Sequence, residues 1–269
     1  MNNARRQARI GKMGKQSFLH IGEANIEIVR IGVGPPLLLL ESEEQRERDS
    51  TLVAELSQAF EVLIPSPPGF GHSNRPDYIT SVDDVAYVYN ALLEQLNLSD
   101  VTVLAFSLGG WIAAEMATKT DHRLARMILV APYGVKHGGT TDRDIADIWI
   151  LHPEKVTALK WRDPALGKRD FSDWSDDDLR VVARNNESFA RYCWQPYMHN
   201  PKLRHRLGGV RTPVHMIWGA NDGIVTPDYG RQYAKLFPAC TFETIAEAGH
   251  MPHIEQPAQF AEAIRRSLL

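Results

Sequence analysis

The sequence of 269 residues contains only two cysteines, Cys193 and Cys240, which is too few for a disulfide framework or a thiolate metal site. It also lacks a strong charge of one sign, because 30 Lys and Arg against 33 Asp and Glu give a formal net charge of -3. So weak a charge does not favour binding to nucleic acid or an anionic membrane. We therefore expect a small-molecule substrate as partner, no metal and no cofactor.

Long apolar runs are absent as well. No run approaches the roughly 20 residues that cross a bilayer. The basic segment 1–16 has no apolar stretch of the secretory type after its arginines. We expect 1–16 to be a loose N-terminal leader and the protein to be soluble and cytoplasmic. The sequence leaves a homodimer open.

Segments typical of strands and helices alternate over most of the chain. A hairpin is predicted over 17–32. Later apolar runs predict strands of a sheet that is covered on both faces. Helical spacing separates these runs. This pattern predicts an α/β fold with a mainly parallel, doubly wound sheet of about eight strands. The predicted strands after the hairpin are 37–40, 61–65, a central strand ending at Ser107, 124–130, 214–219 and 241–245.

The alternation stops between residues 133 and 208. This stretch has no strong strand, many charges and four of the six tryptophans. It predicts a helical cap inserted after strand six, over the strand ends where ligands bind. The core would then comprise 17–132 and 209–269. The tryptophans either line the substrate site or fill the small core of the cap, and the candidates for substrate binding are Trp149, Trp161 and Trp194.

The stretch VTVLAFSLGGW, Val101–Trp111, joins a buried strand to a helix with Ser107 between them. Ala105 and Gly109 are small residues two places before and after the serine, so strand and helix can approach closely. This is the pattern of a nucleophile elbow, in which the serine side chain projects from a strained turn. The alternative is an ordinary turn with Ser107 as a helix N-cap.

Two later loops carry a carboxylate and an imidazole in a suitable order. Asp222 follows one buried strand and His250 follows the next, so both would lie at the same sheet edge as Ser107. Serine needs an adjacent base, and that histidine needs a group to orient it. The alternatives are turn chemistry for Asp222 and a surface position for His250. A metal site at His250 and His253 has no second cluster of ligands to support it.

These motifs resemble those of the capped α/β-hydrolase family in its serine-nucleophile branch. The resemblance implies Ser107 as nucleophile, Asp222 as acid and His250 as general base, with the Leu108 N–H as one oxyanion donor. The segment PPGFGHS also resembles a loop of that family. Some relatives place the acid after strand six, but APYG, 131–134, has no carboxylate. Because the elbow carries serine, the resemblance favours hydrolysis of an ester, lactone, thioester, amide or C–C bond.

One departure from the family follows the strand 37–40. Relatives carry His-Gly there, and that loop supplies the second oxyanion donor; this chain has Glu41 and Ser42. We expect Ser42 or Glu43 to supply the backbone donor instead. A carboxylate about 4 Å from an oxyanion would cost roughly 4 kcal/mol at an effective dielectric constant of 20.

The Glu41 carboxylate must therefore be neutralised, be turned away from the oxyanion or take part in the reaction. Pairing with Arg46 or Arg48 is the simpler interpretation, and contact with a substrate hydroxyl or ammonium, or action as an acid, is the sharper one. The sequence predicts a serine hydrolase that cleaves a carboxylic ester, a lactone or a diketone-type C–C bond of a small to medium, partly apolar substrate. The alternatives are a lyase or cofactor-free oxygenase of the same fold, and a ligand-binding receptor.

Overall fold

The computed structural model describes residues 14–45, 47, 51–120, 122–139 and 141–268. Eight strands within these ranges form one sheet in the order β1-β2-β4-β3-β5-β6-β7-β8. The strands are β1 Lys15–Ile21, β2 Ala24–Ile31, β3 Pro36–Leu40, β4 Glu61–Pro65, β5 Val101–Phe106, β6 Leu124–Val130, β7 Val214–Gly219 and β8 Cys240–Ile245.

The sheet is antiparallel only where β2 pairs with β1 and β4. The other neighbouring pairs are parallel. Every residue of β5 is buried, which explains why its sequence is continuously apolar rather than alternating. Because β3, β5, β6, β7 and β8 run in the same direction, their carboxyl ends and the loops that follow them lie at one edge.

Helices cover both faces of this sheet. They are α1 Thr51–Leu56, α2 Val82–Gln95, α3 Ser107–Lys119, α4 Pro153–Lys160, α5 Asp176–Cys193, α6 Leu203–Arg206, α7 Pro227–Ala234, α8 Pro252–Glu255 and α9 Pro257–Leu268. One buried cluster contains residues of α2, α3 and α7, and the other contains residues of α1 and α9. The fold is therefore the doubly wound α/β arrangement that the sequence predicts.

The start of the sheet corrects one predicted boundary. β1 begins at Lys15, so the last two residues of the predicted leader 1–16 belong to the hairpin. They are strand because Lys15 and Gln16 pair with Arg30 and Val29 of β2. Of the rest of that prediction, Gly14 directly precedes the strand and 1–13 lies outside the described residues.

The segment between β6 and β7, residues 131–213, is named the insertion here. It contains α4, α5 and α6, and its described residues contribute no strand to the sheet. Helix α5 docks on the loop after β4 through side-chain hydrogen bonds to backbone groups. These bonds join Asn185 to Gly71 N–H, Ser188 to the Gly69 carbonyl and Tyr192 to the Pro68 carbonyl.

Helices α2 and α5 begin with the same local device. Ser81 accepts a hydrogen bond from Asp84 N–H, and the Asp84 carboxylate accepts one from Ser81 N–H. Ser175 and Asp178 repeat this capping box at the start of α5. Each box satisfies backbone donors that a helix start leaves unpaired. None of the described helices combines the length and the apolarity that crossing a bilayer would require.

Candidate active site

Ser107 lies where β5 turns directly into α3. Its φ of 46° is in the left-handed region, which is strained for a residue with a side chain. Gly109 makes this turn possible, because a Cβ there would collide with the Leu40 carbonyl. A Cβ on Gly110 would be 2.7 Å from the Pro132 Cβ. The two glycines therefore let α3 pack tightly against the ends of its neighbours, as the sequence predicts for an elbow.

His250 lies in the loop between β8 and α8, and its side chain is fully buried. Its Nε2 is 2.6 Å from the Ser107 Oγ. Its backbone N–H donates to the Lys160 carbonyl at 2.7 Å, which fixes the loop against the end of α4. The ring is thus held by both its side chain and its backbone.

Asp222 lies in the loop after β7, and its side chain is also fully buried. Its Oδ2 is 2.7 Å from the His250 Nδ1. Its Oδ1 accepts hydrogen bonds from the backbone N–H groups of Ile224 at 2.9 Å and Val225 at 3.1 Å. These bonds orient the carboxylate. The structure therefore brings Ser107, His250 and Asp222 into one hydrogen-bonded chain that can move a proton.

Tyr133 is a fourth side chain at this centre, and it was not among the predicted site residues. Its hydroxyl lies 3.1 Å from the His250 Nε2. Its ring stacks on the imidazole with centroids 5.5 Å apart and planes 13° from parallel. Burial, helped by the charges of Glu43 and Asp222, raises the pKa of Tyr133, so its hydroxyl stays protonated. Its position directly after β6, in APYG, is the signal that could have identified it.

A buried ion cluster adjoins Tyr133. The Lys160 ammonium donates to Glu43 Oε1 at 3.0 Å and to Glu44 Oε1 at 2.5 Å. Burial alone would lower the pKa of Lys160, but these two carboxylates outweigh it and raise that pKa above the ordinary value, so Lys160 is charged. The Tyr133 hydroxyl donates to the same Glu43 oxygen at 3.4 Å. Glu43 therefore links the loop after β3 to the catalytic centre.

The predicted oxyanion loop differs from the prediction at Ser42. The Ser42 N–H donates to the Glu47 Oε2 at 3.2 Å, so this donor is already engaged by a carboxylate. This bond corrects the prediction of Ser42 as a donor. The oxyanion-donor roles of the Glu43 N–H and the Leu108 N–H stay predictions. Leu108 directly follows Ser107 at the start of α3.

Glu41 is buried in the same loop. Burial first, and then the charge of Glu41, raises the pKa of Glu47 to about 7. Arg46 and Arg48, the predicted partners of Glu41, lie outside the described residues. Contact between Glu41 and the substrate stays a prediction. The acidic side chain that contacts Tyr133 is that of Glu43.

Two of the three candidate tryptophans belong to an aromatic cluster of the insertion. The Trp149 ring lies 5.4 Å from that of Trp194 and 5.3 Å from that of Tyr197, measured between centroids. It also lies 5.6 Å from Phe189, whose ring is 6.3 Å from that of Tyr133. Trp149 thus connects to the catalytic centre through one intervening ring.

Trp194 and Trp161 differ in exposure. Trp194 is 58% exposed, whereas Trp161 is buried. A Cβ on Gly167 would be 2.6 Å from the Trp161 Nε1, so Trp161 packs on a turn of the insertion itself. Substrate contact by Trp149, Trp161 and Trp194 stays a prediction.

The end of α4 contacts both loops that carry the acid and the base. The Leu159 carbonyl accepts from Gly223 N–H at 2.9 Å, and the Lys160 carbonyl accepts from His250 N–H. Arg162 N–H donates to the Glu255 Oε1 at 2.7 Å. The turn at Leu159 and Lys160 therefore fixes the positions of the Asp222 loop and the His250 loop relative to each other. Within the described ranges, no three His, Cys, Asp or Glu side chains are placed to share a metal ion.

The sequence profile of the alpha/beta hydrolase family matches residues 46–263 of this chain. The biotin biosynthesis bifunctional protein BioHC of Teredinibacter turnerae is 27% identical over 238 residues, which cover 81% of this chain and 41% of that protein. This chain thus spans less than half the length of BioHC. The pimeloyl-[acyl-carrier protein] methyl ester esterase of Photobacterium profundum is 25% identical over 226 residues, covering 80% of this chain and 86% of that enzyme.

Solved structures share the fold. The naproxen esterase of Bacillus subtilis superposes with a TM-score of 0.74 at 16% identity, covering 99% of this chain and 95% of that one. At such low identity the similarity concerns the fold alone.

Proposed function

Because the chain belongs to the alpha/beta hydrolase family, we propose that it is a serine hydrolase with Ser107 as nucleophile, His250 as general base and acid, and Asp222 as the orienting carboxylate. One observation carries the proposal. The Ser107 Oγ, the two imidazole nitrogens and the Asp222 carboxylate form two successive contacts of 2.6 Å and 2.7 Å in a buried site. That geometry suits removal of the serine proton.

In the first half-reaction the Ser107 oxygen attacks the carbonyl carbon of the substrate while its proton passes to the His250 Nε2. Asp222, bonded to Nδ1, keeps that nitrogen protonated and stabilises the imidazolium. The tetrahedral intermediate then breaks the bond to the leaving group, which takes the proton from Nε2. A water molecule attacks the acyl-enzyme by the same steps in reverse order and releases the acid.

The developing oxyanion needs donors that are already in place. The Leu108 N–H, at the start of α3, is our first candidate, and the positive end of that helix adds to its effect. The Glu43 N–H is the second candidate, since Ser42 N–H is engaged by Glu47. One such donor is worth about 3 to 4 kcal/mol in the transition state.

The substrate class we propose is a carboxylic ester, a lactone or a diketone-type C–C bond in a small to medium, partly apolar molecule. Two features support it. The esterase from Photobacterium profundum matches over most of its length. The aromatic cluster around Trp149 supplies apolar surface in the insertion next to Tyr133.

Hydrolysis of p-nitrophenyl butyrate by wild type and by Ser107→Ala tests the proposal. We expect Ser107→Ala to lower kcat by at least about 10⁴-fold, because no other side chain replaces the activated hydroxyl. Ser172→Ala, an exposed serine of the insertion, is the matched control and should keep the wild-type rate. Undiminished turnover in pure Ser107→Ala would refute the mechanism.

Turnover in water labelled with ¹⁸O separates this proposal from its alternatives. A hydrolase places solvent oxygen in the acid product. A lyase or an oxygenase of the same fold would not do so, and a receptor would bind the ester without forming any product.

A further inference from the structure

Glu43 places a carboxylate in the interior next to the catalytic centre. Its side chain is 8% exposed. One of its oxygens, Oε1, accepts from the Lys160 ammonium at 3.0 Å and from the Tyr133 hydroxyl at 3.4 Å. The position of this carboxylate is therefore fixed from two sides.

The second oxygen of the same carboxylate has no such partner. Glu43 Oε2 is buried and makes no hydrogen bond to any described residue. An acceptor buried in this way costs free energy unless a donor reaches it, and the cost is larger for an ionised group. None of the described residues supplies that donor.

The location of Glu43 indicates which molecule supplies that donor. The Tyr133 hydroxyl bridges Glu43 Oε1 and the His250 Nε2, which is the nitrogen that exchanges a proton with Ser107. Ser107 and His250 are each only 1% exposed, and the bridging Tyr133 hydroxyl joins this buried region to Glu43. A substrate bound at Ser107 enters the same region.

We propose that Glu43 Oε2 accepts a hydrogen bond from a hydroxyl or protonated amine of the substrate, which makes Glu43 a specificity-determining residue. This rests on the proposed function, because the substrate must be held at Ser107. A substrate with a carboxylate at that position meets a like charge and is disfavoured. Lys160 offers such a carboxylate little compensation, since its charge is already divided between Glu43 and Glu44.

Phenylboronic acids are suitable probes, because their boron forms a reversible bond to a nucleophilic serine oxygen while the serine proton passes to the histidine. Four groups are compared at the meta and at the para position: aminomethyl, hydroxymethyl, ethyl and carboxylate. Inhibition constants are measured against p-nitrophenyl butyrate hydrolysis by wild type. Glu43→Gln keeps the shape of the side chain but removes its charge.

In wild type we expect the aminomethyl compound, at one of the two positions, to bind about 10- to 100-fold more tightly than the ethyl compound, as a charged hydrogen bond allows. The hydroxymethyl compound should fall between them and the carboxylate compound should bind most weakly. In Glu43→Gln the aminomethyl preference should disappear. Glu44→Gln, which alters the other carboxylate on Lys160, should keep it.

Two results would overturn the proposal: no aminomethyl preference in wild type, or the same preference in Glu43→Gln. If Glu43→Gln does not fold, Glu43→Asp keeps the charge and shortens the side chain. It should retain a reduced preference, and an unchanged preference would count against Glu43. Failure of the proposed function is distinct, because then none of the four boronic acids would inhibit or bind at Ser107.

Discussion

The imidazole of His250 has oxygen atoms at both of its nitrogens. Asp222 lies at Nδ1, and Ser107 and Tyr133 lie at Nε2. The carboxylate accepts a hydrogen bond from Nδ1–H, so the lone pair of Nε2 faces the serine hydroxyl. The Tyr133 hydroxyl meanwhile donates to Glu43, which leaves its own lone pairs towards Nε2. Tyr133 can thus accept a hydrogen bond from the imidazolium once His250 has taken the serine proton.

Asp222→Asn should lower kcat by about 10⁴-fold, because an amide that donates to Nδ1 leaves the proton on the wrong imidazole nitrogen. Steady-state hydrolysis of p-nitrophenyl butyrate measures this effect. Asp228→Asn, an exposed aspartate at the start of α7, provides the control. Equal losses in the two variants would argue against orientation by Asp222.

Tyr133→Phe should keep the ring against the imidazole and lose only the hydroxyl. We expect kcat to fall about 10-fold, the effect of one lost hydrogen bond, with a smaller change in KM. Tyr192→Phe is the control, since it removes a hydroxyl that bonds the Pro68 carbonyl instead. A wild-type kcat in Tyr133→Phe would show that the hydroxyl takes no part in the reaction.

Among the elements, those with a clear apolar periodicity in the sequence are predicted correctly. The hairpin, the covered strands and the elbow helix appear as expected, because apolar periodicity and turn residues are local signals. The contacts of the loop after β3 are not predicted by the sequence. The sequence indicates Glu41 as the acidic residue of the site, whereas the contact with Tyr133 is made by Glu43. That choice depends on how the loop and the end of α4 pack, which no local pattern encodes.

The loop after β3 should also give the stability a pH dependence. Glu47 is buried facing Glu41, Glu43 and His253, and its pKa is raised from 4.5 to about 7. A carboxyl group whose pKa is higher when folded stabilises below its unfolded pKa and loses that contribution as pH rises through about 7. Glu47→Gln should therefore gain unfolding free energy relative to wild type between pH 5 and pH 8, by at most roughly 3 kcal/mol.

Chemical denaturation at several pH values measures this difference. Glu55→Gln, an exposed glutamate of α1, provides the control and should track wild type. A parallel pH dependence of wild type and Glu47→Gln would show that Glu47 does not titrate in this range.

The end of α4 allows a further prediction. Lys160→Met should lower the unfolding free energy by about 3 to 5 kcal/mol, because it leaves Glu43 and Glu44 without their shared buried cation. Lys155→Met, on the exposed side of the same helix, should change it by less than about 0.5 kcal/mol. Urea denaturation of both variants decides between this account and a surface role for Lys160.

Across the molecule, the insertion and the sheet meet through many hydrogen bonds. Helix α5 bonds the loop after β4, and the turn at Leu159 and Lys160 bonds the loops of Asp222 and His250. The predicted division into a core and a cap at 133–208 stays a prediction. These contacts make the insertion part of the support for the catalytic loops.

Unfolding should consequently be cooperative. We expect differential scanning calorimetry to show one transition in which insertion and sheet unfold together, because separating them would break the bonds to both catalytic loops. Two resolved transitions, with the triad still active after the first, would show that the insertion is independent.

The central claim, that His250 activates Ser107, is tested most directly by fluorophosphonate labelling followed by peptide mass spectrometry. In folded wild type we predict rapid labelling of the peptide that contains Ser107, and in His250→Ala or in urea-unfolded protein we predict little or none. Equal labelling of wild type and His250→Ala, or a folded wild type that resists the reagent, would contradict the account.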